Sequence, residues 1–162
     1  MKAIVGVDES WGIGKGQELL YHIPGDMKFF KEKTVGNVVV MGKNTFLSFP
    51  RQEPLRDRVN IVLTRDKTFQ RDGVITCGSK EELLKKIKDY PENSVYVIGG
   101  DSVYKQLLEY CDTVYVTKFL DKKEADKFFP NLDEDDRFIL SSEGEEREEK
   151  GIKYKFCTYC RI

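Results

Sequence analysis

The sequence has few of the residues that form disulfide bonds or bind metal ions, with one histidine and four scattered cysteines, and it has a single tryptophan. That cysteine spacing does not indicate a secreted disulfide scaffold, and a single histidine offers little to a zinc site. Cys157 and Cys160 have the C-x-x-C spacing, but they lie in a predicted strand, where residues three apart face opposite sides of the sheet. We therefore expect ordinary packing cysteines and no metal.

Long apolar runs and a signal-peptide pattern are also missing, so we expect no membrane span and a cytoplasmic location. The 162 residues carry a net charge of −1, which gives no overall attraction to nucleic acid or a membrane surface. The charge is uneven, because twelve acidic and six basic residues leave residues 121–150 with a net −6 and the remainder with +5. A mildly basic body can hold an anionic ligand, although a solvated acidic face is the simpler account.

Apolar runs with strand character alternate with segments of helical character. This alternation predicts an α/β fold, with one domain over residues 1–162, a mainly parallel central sheet of about eight strands, about four flanking helices and an antiparallel C-terminal hairpin. No coiled-coil pattern or obvious apolar interface is present, so we expect a monomer. Helices are predicted from Pro24, after Gly42, from Ser79 to Pro91 and over Val103–Tyr110. The predicted strands are Ala3–Val7, Asn37–Met41, Arg58–Thr64, Val74–Cys77, Val95–Gly100, Thr113–Thr117, Arg137–Leu140 and Ile152–Tyr159.

Residues suited to an anionic ligand stand at several predicted strand ends. A strand, then glycine, then a helix start presents free N–H groups and the helix dipole to a phosphate. Taken alone, each such strand end is equally consistent with an ordinary connection between a strand and a helix that binds nothing. The sequence contains no Walker loop. Carboxyl ends of parallel strands meet at one edge of a sheet, so together they predict a ligand site there. The ends concerned are Gly6, Gly42-Lys43, Thr64-Arg65, Gly99-Gly100 and Thr117.

Local patterns also predict how several elements begin. Ser79 and Glu82 have the spacing of a capping box, and Asp101-Ser102 can cap the helix that follows. The segment Asp8–Gly16 has glycines at alternate positions near its end, which predicts a mobile or unusually bent loop. Trp11 within that loop is explained more simply by packing than by ligand contact.

One acidic residue lies at the start of the first predicted helix. Helical spacing puts Asp26 on or near one face with Met27 and Phe30, while Lys28 and Lys31 point elsewhere. An acid in a first turn needs no function, because it stabilises the free N–H groups of the helix. The same carboxylate beside apolar side chains is also suited to acid–base chemistry. The helix alone favours the first interpretation.

Seven motifs occur in an order and spacing that are specific together, although none is decisive alone. They are Ile4-Val5-Gly6-Val7-Asp8, Gly12-Ile13-Gly14, Ile23-Pro24-Gly25-Asp26-Met27-Lys28-Phe29-Phe30-Lys31, Val40-Met41-Gly42-Lys43-Asn44-Thr45, Asn60-Ile61-Val62-Leu63-Thr64-Arg65, Val97-Ile98-Gly99-Gly100 and Val114-Tyr115-Val116-Thr117. Over essentially the whole chain, this series resembles the dihydrofolate reductase family. The acid of that family is Asp in bacterial-type members and Glu in animal ones, so Asp26 suggests the bacterial type.

The resemblance implies NADPH-dependent reduction of 7,8-dihydrofolate to 5,6,7,8-tetrahydrofolate, a step of one-carbon metabolism that antifolates inhibit. Hydride goes to C6 of the pterin, and a proton goes to N5, promoted by Asp26. Thr117 would hydrogen-bond Asp26, and Arg58 would pair with the glutamate carboxylate of the substrate. The remaining residues that the resemblance places around the pterin, nicotinamide and benzoyl rings are Ile4, Val5, Met27, Phe30, Phe49, Leu55, Ile98 and Tyr104.

The resemblance also implies an NADPH site. Two cations, Lys43 and Arg65, lie beside Thr64 in the stretch matching the 2′-phosphate pocket, and their charge favours NADPH over NADH. Residues 9–24 match the mobile loop that closes over the nicotinamide. The implied cofactor contacts are Gly6, Ile13, Gly14, Lys15, Leu19, Gly42, Lys43, Asn44, Thr45, Leu63, Thr64, Arg65, Gly99, Gly100, Asp101, Ser102 and Val103.

Three residues depart from the usual family pattern in the closing loop. Tyr21 replaces a common tryptophan, Leu20 a common proline, and Gln17 a common Asn or Asp. Tyr21 keeps an aromatic body and a polar tip that can support a water-mediated contact, so loop closure is what these changes affect. Two other functions fit the same fold: an NADPH-dependent reductase of a pyrimidine intermediate in riboflavin synthesis, and a non-catalytic nucleotide-binding module.

Overall fold

The computed structural model describes all of residues 1–162. It contains four α-helices: α1 (Pro24–Thr34), α2 (Lys43–Leu47), α3 (Lys80–Lys86) and α4 (Asp101–Leu107). Short 3-10 turns occupy Pro50–Gln52, Ile87–Asp89, Glu92–Ser94, Leu108–Tyr110 and Leu132–Glu134. The strands are β1 (Lys2–Val7), β2 (Gly12–Lys15), β3 (Glu18–Leu19), β4 (Val38–Gly42), β5 (Val59–Leu63), β6 (Val74–Cys77), β7 (Val95–Gly99), β8 (Thr113–Phe119), β9 (Lys127–Phe128), β10 (Phe138–Glu143), β11 (Arg147–Glu149) and β12 (Ile152–Arg161).

The central sheet has the strand order β10-β12-β8-β1-β7-β4-β5-β6, and β11 pairs with β12 beside it. The six strands from β8 to β6 are all parallel, while β12 runs antiparallel to both β8 and β10. The predicted α/β fold, the mainly parallel sheet and the four helices are therefore confirmed. The C-terminal antiparallel pair is also present, but the charged segment 143–151 contains an additional strand, β11, rather than only a connection.

The middle of the sheet is built from strands that are apolar on both faces. In β4, the side chains of Val38 through Met41 are at most 2% exposed, as expected for a strand with helices or loops on both sides. One apolar cluster packs Leu107 and Phe129 against β1, β7 and β8, and another packs Phe46 and Phe69 against β4 and β5. Each fully buried side chain of this size contributes about 1.5–3 kcal/mol. No helix in the structure is both long and apolar enough to span a membrane.

The segment predicted as a bent loop forms a small antiparallel sheet in the order β3-β2-β9. Buried Asp8 fixes the backbone of the segment that leads from β1 into this small sheet. Its Oδ1 accepts hydrogen bonds from the N–H groups of Ser10 and Gly12, and its Oδ2 accepts one from the N–H of Lys123. A Cβ at Gly12 would lie 2.8 Å from the Ala125 Cβ, so that glycine allows the close approach of the next loop. Trp11 is buried and packs against the rings of Phe129 and Tyr159, in agreement with a packing role.

Two capping predictions need correction in detail. Ser79 does cap α3 by accepting the N–H of Glu82, but the Glu82 carboxylate accepts the N–H of Gly78 rather than that of Ser79. Residues Asp101 and Ser102 do not cap α4, because the helix begins at Asp101 and Gly100 occupies the N-cap position without a side-chain hydrogen bond. Asp101 therefore acts in the first turn through its charge rather than through capping geometry.

Candidate active site

Strand register brings the predicted ligand-binding ends to one edge of the sheet. Gly6 of β1 pairs with Thr117 of β8, and Gly42 of β4 pairs with Leu63 of β5. On the other side of β4, Met41 pairs with Gly99 of β7. All of these strands run in the same direction, so the five predicted ends lie at one edge of the sheet, which is where open parallel sheets bind ligands.

Asp26 is joined to this edge by a hydrogen bond from β8. The Thr117 hydroxyl donates to Asp26 Oδ1 over 2.6 Å. A Cβ at Gly6 would lie 3.6 Å from Asp26 Oδ2 and 2.9 Å from a Phe119 ring carbon, so the glycine gives the carboxylate and the ring room against β1. Burial raises the pKa of Asp26, and the hydrogen bond from Thr117 opposes part of that rise.

The apolar face of α1 differs from the sequence-based expectation in its packing. Met27 is 60% exposed, and Phe30 is half-buried. The side chain that packs α1 onto the sheet is Phe29, whose ring stacks on Phe156 at 4.2 Å and meets Tyr115 edge-on. The neighbouring phenylalanine therefore anchors the helix, and Met27 keeps most of its side chain accessible.

A second group of predicted substrate residues lies on the loop between α2 and β5. Phe49 and Leu55 pack against the buried cluster that contains Phe46. The buried side chain of Asn60 accepts the N–H of Leu55 and donates to its carbonyl, both at 2.9 Å. This pair of bonds fixes the backbone of Leu55, and sequence reasoning had assigned no role to Asn60.

Arg58 is held between the end of α1 and its own loop. Its Nη1 donates to the Thr34 hydroxyl at 3.1 Å, and its Nε donates to the Arg56 carbonyl at 2.9 Å. Partial burial lowers the pKa of Arg58, and the Asp57 carboxylate opposes that effect. The guanidinium makes no ion pair within the chain, so its charge remains available to an incoming carboxylate.

The inner wall of the cleft is fixed by a buried tyrosine. The Tyr104 hydroxyl of α4 donates to the Ile4 carbonyl of β1 over 2.7 Å, and burial raises the pKa of Tyr104. This bond ties α4 to β1 beside Val5, which is buried like Ile4. Ile98 on β7 is half-buried and packs against the cluster containing Met41 and Phe46.

Two glycine-led helix starts lie side by side at the centre of the edge. A Cβ at Gly42 would lie 3.2 Å from Val103 Cγ2 and 3.9 Å from the Gly100 nitrogen. A Cβ at Gly99, where φ is +140°, would lie 3.2 Å from the Thr45 hydroxyl, and the Gly99–Gly100 peptide bond is cis. Glycines thus leave the backbone N–H groups of α2 and α4 open at a place where side chains would fill the space.

An open, charged pocket of about 1150 Å³ lies beyond the end of β5. Thr64, Arg65 and Asp66 line it together with residues of the following segment as far as Gly78. Lys43 Nζ lies 3.0 Å from Asp66 Oδ2, whereas Arg65 is exposed and makes no ion pair in the chain. Hydrogen bonds from Thr68 and Lys43 lower the pKa of Asp66 to about 2. The two predicted cations are therefore not equivalent, because an aspartate that sequence reasoning missed neutralises one of them.

The loop that departs from the family pattern is tied to the segment 120–127. Tyr21 stacks on Phe119 at 4.2 Å, and its hydroxyl donates to Asp121 at 2.9 Å, which places that polar tip on a carboxylate. Lys123 donates to the Leu20 carbonyl.

The predicted cofactor contacts in the same loop differ in exposure. Ile13 is buried, while Lys15 forms an ion pair with Glu124 at 2.7 Å and Leu19 is 66% exposed. The Gly16 N–H donates to Asp126. These contacts join two segments more than 100 residues apart in the chain, so no local sequence pattern predicts them.

Comparison with known proteins agrees with this arrangement. A sequence profile described as dihydrofolate reductase matches residues 1–161. The chain is 36% identical to the viral dihydrofolate reductase of Saimiriine herpesvirus 2, over 100% of this chain and 85% of that protein. It is also 36% identical to the dihydrofolate reductase of Bacillus subtilis, over 96% of this chain and 91% of that protein.

A solved structure is similar over nearly its whole length. The dihydrofolate reductase of Enterococcus faecalis, complexed with NADP(H) and RAB-propyl, superposes with a TM-score of 0.88 at 36% identity. The match covers 99% of this chain and 95% of that one. On the strength of the profile, the relatives and the shared fold, the chain belongs to the dihydrofolate reductase family, as a member of its bacterial type.

Proposed function

We propose that Asp26 promotes substrate protonation in the NADPH-dependent reduction of 7,8-dihydrofolate to 5,6,7,8-tetrahydrofolate by this protein. The supporting observation is a half-buried carboxyl group, bonded to Thr117 and with its pKa raised by burial, at the edge where the glycine-led strand ends meet. The reaction needs a hydride at C6 of the pterin and a proton at the adjacent N5. Bound NADPH supplies the hydride, so the protein must arrange the proton and the orientation.

The chemistry of Asp26 follows from its surroundings. Its carboxylate is placed to accept hydrogen bonds from the 2-amino group and a neighbouring ring nitrogen of the pterin, which would hold the ring in the cleft. A pKa raised by burial brings the proton affinity of this acid closer to neutral pH, where acid–base assistance is most effective. Thr117 restrains the carboxylate orientation through Oδ1, leaving Oδ2 for the substrate.

The rest of the substrate is assigned to residues that line the same cleft. We assign the pterin and benzoyl rings to two apolar walls, one from Met27 and Phe30 of α1 and the other from Phe49 and Leu55 of the loop between α2 and β5. Arg58 is assigned to the glutamate carboxylate, because its guanidinium is held in position without an ion-pair partner. Ile4, Val5, Ile98 and Tyr104 form the inner wall where the pterin and nicotinamide would meet.

The residues present fit NADPH by two features. Gly42, Gly99 and Gly100 leave open a backbone cradle that a Cβ would crowd, which suits a pyrophosphate at two helix starts. Arg65 places an exposed positive charge without an ion-pair partner beside Thr64, where we assign the 2′-phosphate, and Lys43, which is paired with Asp66, is the second cation that we assign to it. The remaining assigned contacts are Gly6, Ile13, Gly14, Lys15, Leu19, Asn44, Thr45, Leu63, Asp101, Ser102 and Val103.

We further propose a cytoplasmic monomer formed by one domain over residues 1–162. All four cysteines are free thiols, which fits a reducing compartment. A single sheet runs from β10 to β6, and the apolar clusters pack against it. Sedimentation equilibrium at several protein concentrations would give the mass of one chain, and a concentration-dependent doubling of mass would contradict the monomer.

The function is tested by following the near-ultraviolet absorbance of NADPH with dihydrofolate, with and without an antifolate. We expect substrate-dependent loss of absorbance that the antifolate abolishes. Binding of NADPH without any oxidation would instead support a non-catalytic module. Oxidation with a riboflavin-pathway pyrimidine but not with dihydrofolate would assign a different substrate to the same fold.

A further inference from the structure

The helix that carries Asp26 receives its cap from another part of the chain. Ile23 occupies the N-cap position of α1 and makes no side-chain capping bond. The N–H of Gly25 instead donates to Glu149 Oε1 over 2.8 Å, across 124 positions of sequence. Glu149 ends β11, so a strand of the C-terminal hairpin satisfies a free N–H group at the start of the helix.

Glu149 is itself held in place. The hydroxyl of Tyr154, a buried residue of β12, donates to the same Oε1 over 2.7 Å. Burial together with this bond raises the pKa of Tyr154 to about 12. A Cβ at Gly25 would collide with Glu149 Oε1 and with the Tyr154 hydroxyl, so the glycine is what lets the helix approach the hairpin this closely.

The cap lies one residue from the carboxylate that the proposed function depends on. Asp26 follows Gly25, and its side chain is bonded to Thr117 of β8. Tyr154, which holds Glu149, pairs with Phe119 in the ladder between β12 and β8, so β12 lies between β11, which carries Glu149, and β8, which carries Thr117. Glu149 restrains the backbone before Asp26, and Thr117 restrains its side chain.

We propose that Glu149 is a positioning residue, which sets the place of the Asp26 carboxylate in the cleft by fixing the first turn of α1. This inference rests on the proposed function of Asp26. Displacing a reacting group by about 1 Å lowers rates by up to about 100-fold, so a released helix start has a kinetic consequence. The other titratable groups that interact electrostatically with Asp26 are Tyr104 of α4 and Tyr154 of β12. The pKa values of both are raised well above neutral, so neither group changes its charge near neutral pH.

The test compares Glu149→Ala with Glu149→Gln, which keeps an oxygen acceptor for both donors. We expect the alanine variant to lower the rate of hydride transfer about tenfold while the Kd of NADPH stays within about twofold. Its pH–rate profile should shift to lower pH, because a loosened first turn lets water reach Asp26 and reduces the effect of burial. The glutamine variant should restore both the rate and the profile.

Two further variants separate positioning from general damage. Glu148→Ala changes an exposed neighbour on the same strand whose side chain makes no hydrogen bond or ion pair, and it should leave rate and profile unchanged. Tyr154→Phe removes the hydroxyl that holds Glu149 and should reproduce part of the alanine effect.

If Glu149→Ala matches Glu148→Ala in both rate and pH profile, the inference is wrong while the proposed function stands. If the wild-type protein does not oxidise NADPH with dihydrofolate, the proposed function fails first.

Discussion

The two ends of the cleft hold their charged groups in opposite ways. At the substrate end, Asp26 is half-buried, and its carboxylate is bonded to a neighbouring strand. At the cofactor end, Arg65 is exposed, and the side chain of Lys43 is 34% exposed beside Asp66. The first arrangement depends on dehydration and fixed geometry, whereas the second depends on solvated charge that salt screens. Substitutions at the two ends should therefore differ in size and in their sensitivity to ionic strength.

The largest effect is expected from Asp26→Asn. The amide has nearly the shape of the acid and can still accept the Thr117 hydroxyl, but it cannot supply or hold the proton. We expect turnover at neutral pH to fall by about 100-fold or more, as is usual when acid–base assistance is lost, with NADPH affinity nearly unchanged. Single-turnover rates with pre-bound NADPH measure this, and near-wild-type turnover would remove Asp26 from the mechanism.

A smaller effect is expected from Arg58→Lys. Lysine keeps the charge but loses the planar fork that matches a carboxylate with two parallel hydrogen bonds. We expect the KM for dihydrofolate to rise about tenfold with little change in turnover at saturation. The control uses a dihydropterin without the glutamate tail, for which the two proteins should behave alike. An equal defect with that truncated substrate would place the effect elsewhere.

At the cofactor end, Arg65→Ala should reduce the preference for NADPH over NADH by about tenfold at low salt. The difference from wild type should shrink as salt is added, because the guanidinium is exposed. Ratios of kcat/KM for the two cofactors at several ionic strengths provide the measurement. A preference that does not change would count against placing the 2′-phosphate beside Arg65.

The smallest effect, and one of opposite sign, is expected from Asp66→Asn. Removing this carboxylate leaves Lys43 unneutralised, while the single amide oxygen can still accept the two hydrogen bonds that Thr68 donates to Oδ1. We expect the preference for NADPH to rise about threefold, the size of one charge acting over roughly 6 Å in water. Asp72→Asn is the matched control, since Asp72 lines the same cleft and makes no ion pair. Equal changes in both variants would indicate only a general charge effect.

Much of the framework follows from local pattern. The edge strand Val74–Cys77 was predicted to the residue, and each central parallel strand to within two residues at either end, because buried strands read as unbroken apolar runs. The convergence of the strand ends follows from topology alone. The small sheet β3-β2-β9 was missed, because Gly12–Lys15 reads as a loop until its partner, Lys127–Phe128, is brought beside it.

The candidate site likewise has a part that the sequence predicts and a part that it does not. Local patterns single out Asp26, Thr117 and the paired glycines. The contacts that support these residues come from segments far away in the chain, so no local pattern predicts them. Glu149 reaches Gly25 from a segment that reads only as a run of charges. Helical spacing put Met27 and Phe30 on or near one face with Asp26, but it did not identify Phe29 as the side chain that anchors the helix, because that role depends on strands β8 and β12.

The most direct measurement of how far burial perturbs Asp26 needs no substrate: thermal unfolding of wild type and Asp26→Asn as a function of pH. Because the pKa of Asp26 is raised in the fold, its stabilising contribution is complete below its unfolded pKa of about 3.9 and is lost as pH rises through the folded pKa. The Asn variant should therefore unfold about 2–4 °C higher at neutral pH, and this advantage should disappear as pH falls towards about 4. An Asn variant that is less stable at neutral pH, or a difference that does not vary with pH, would contradict the account.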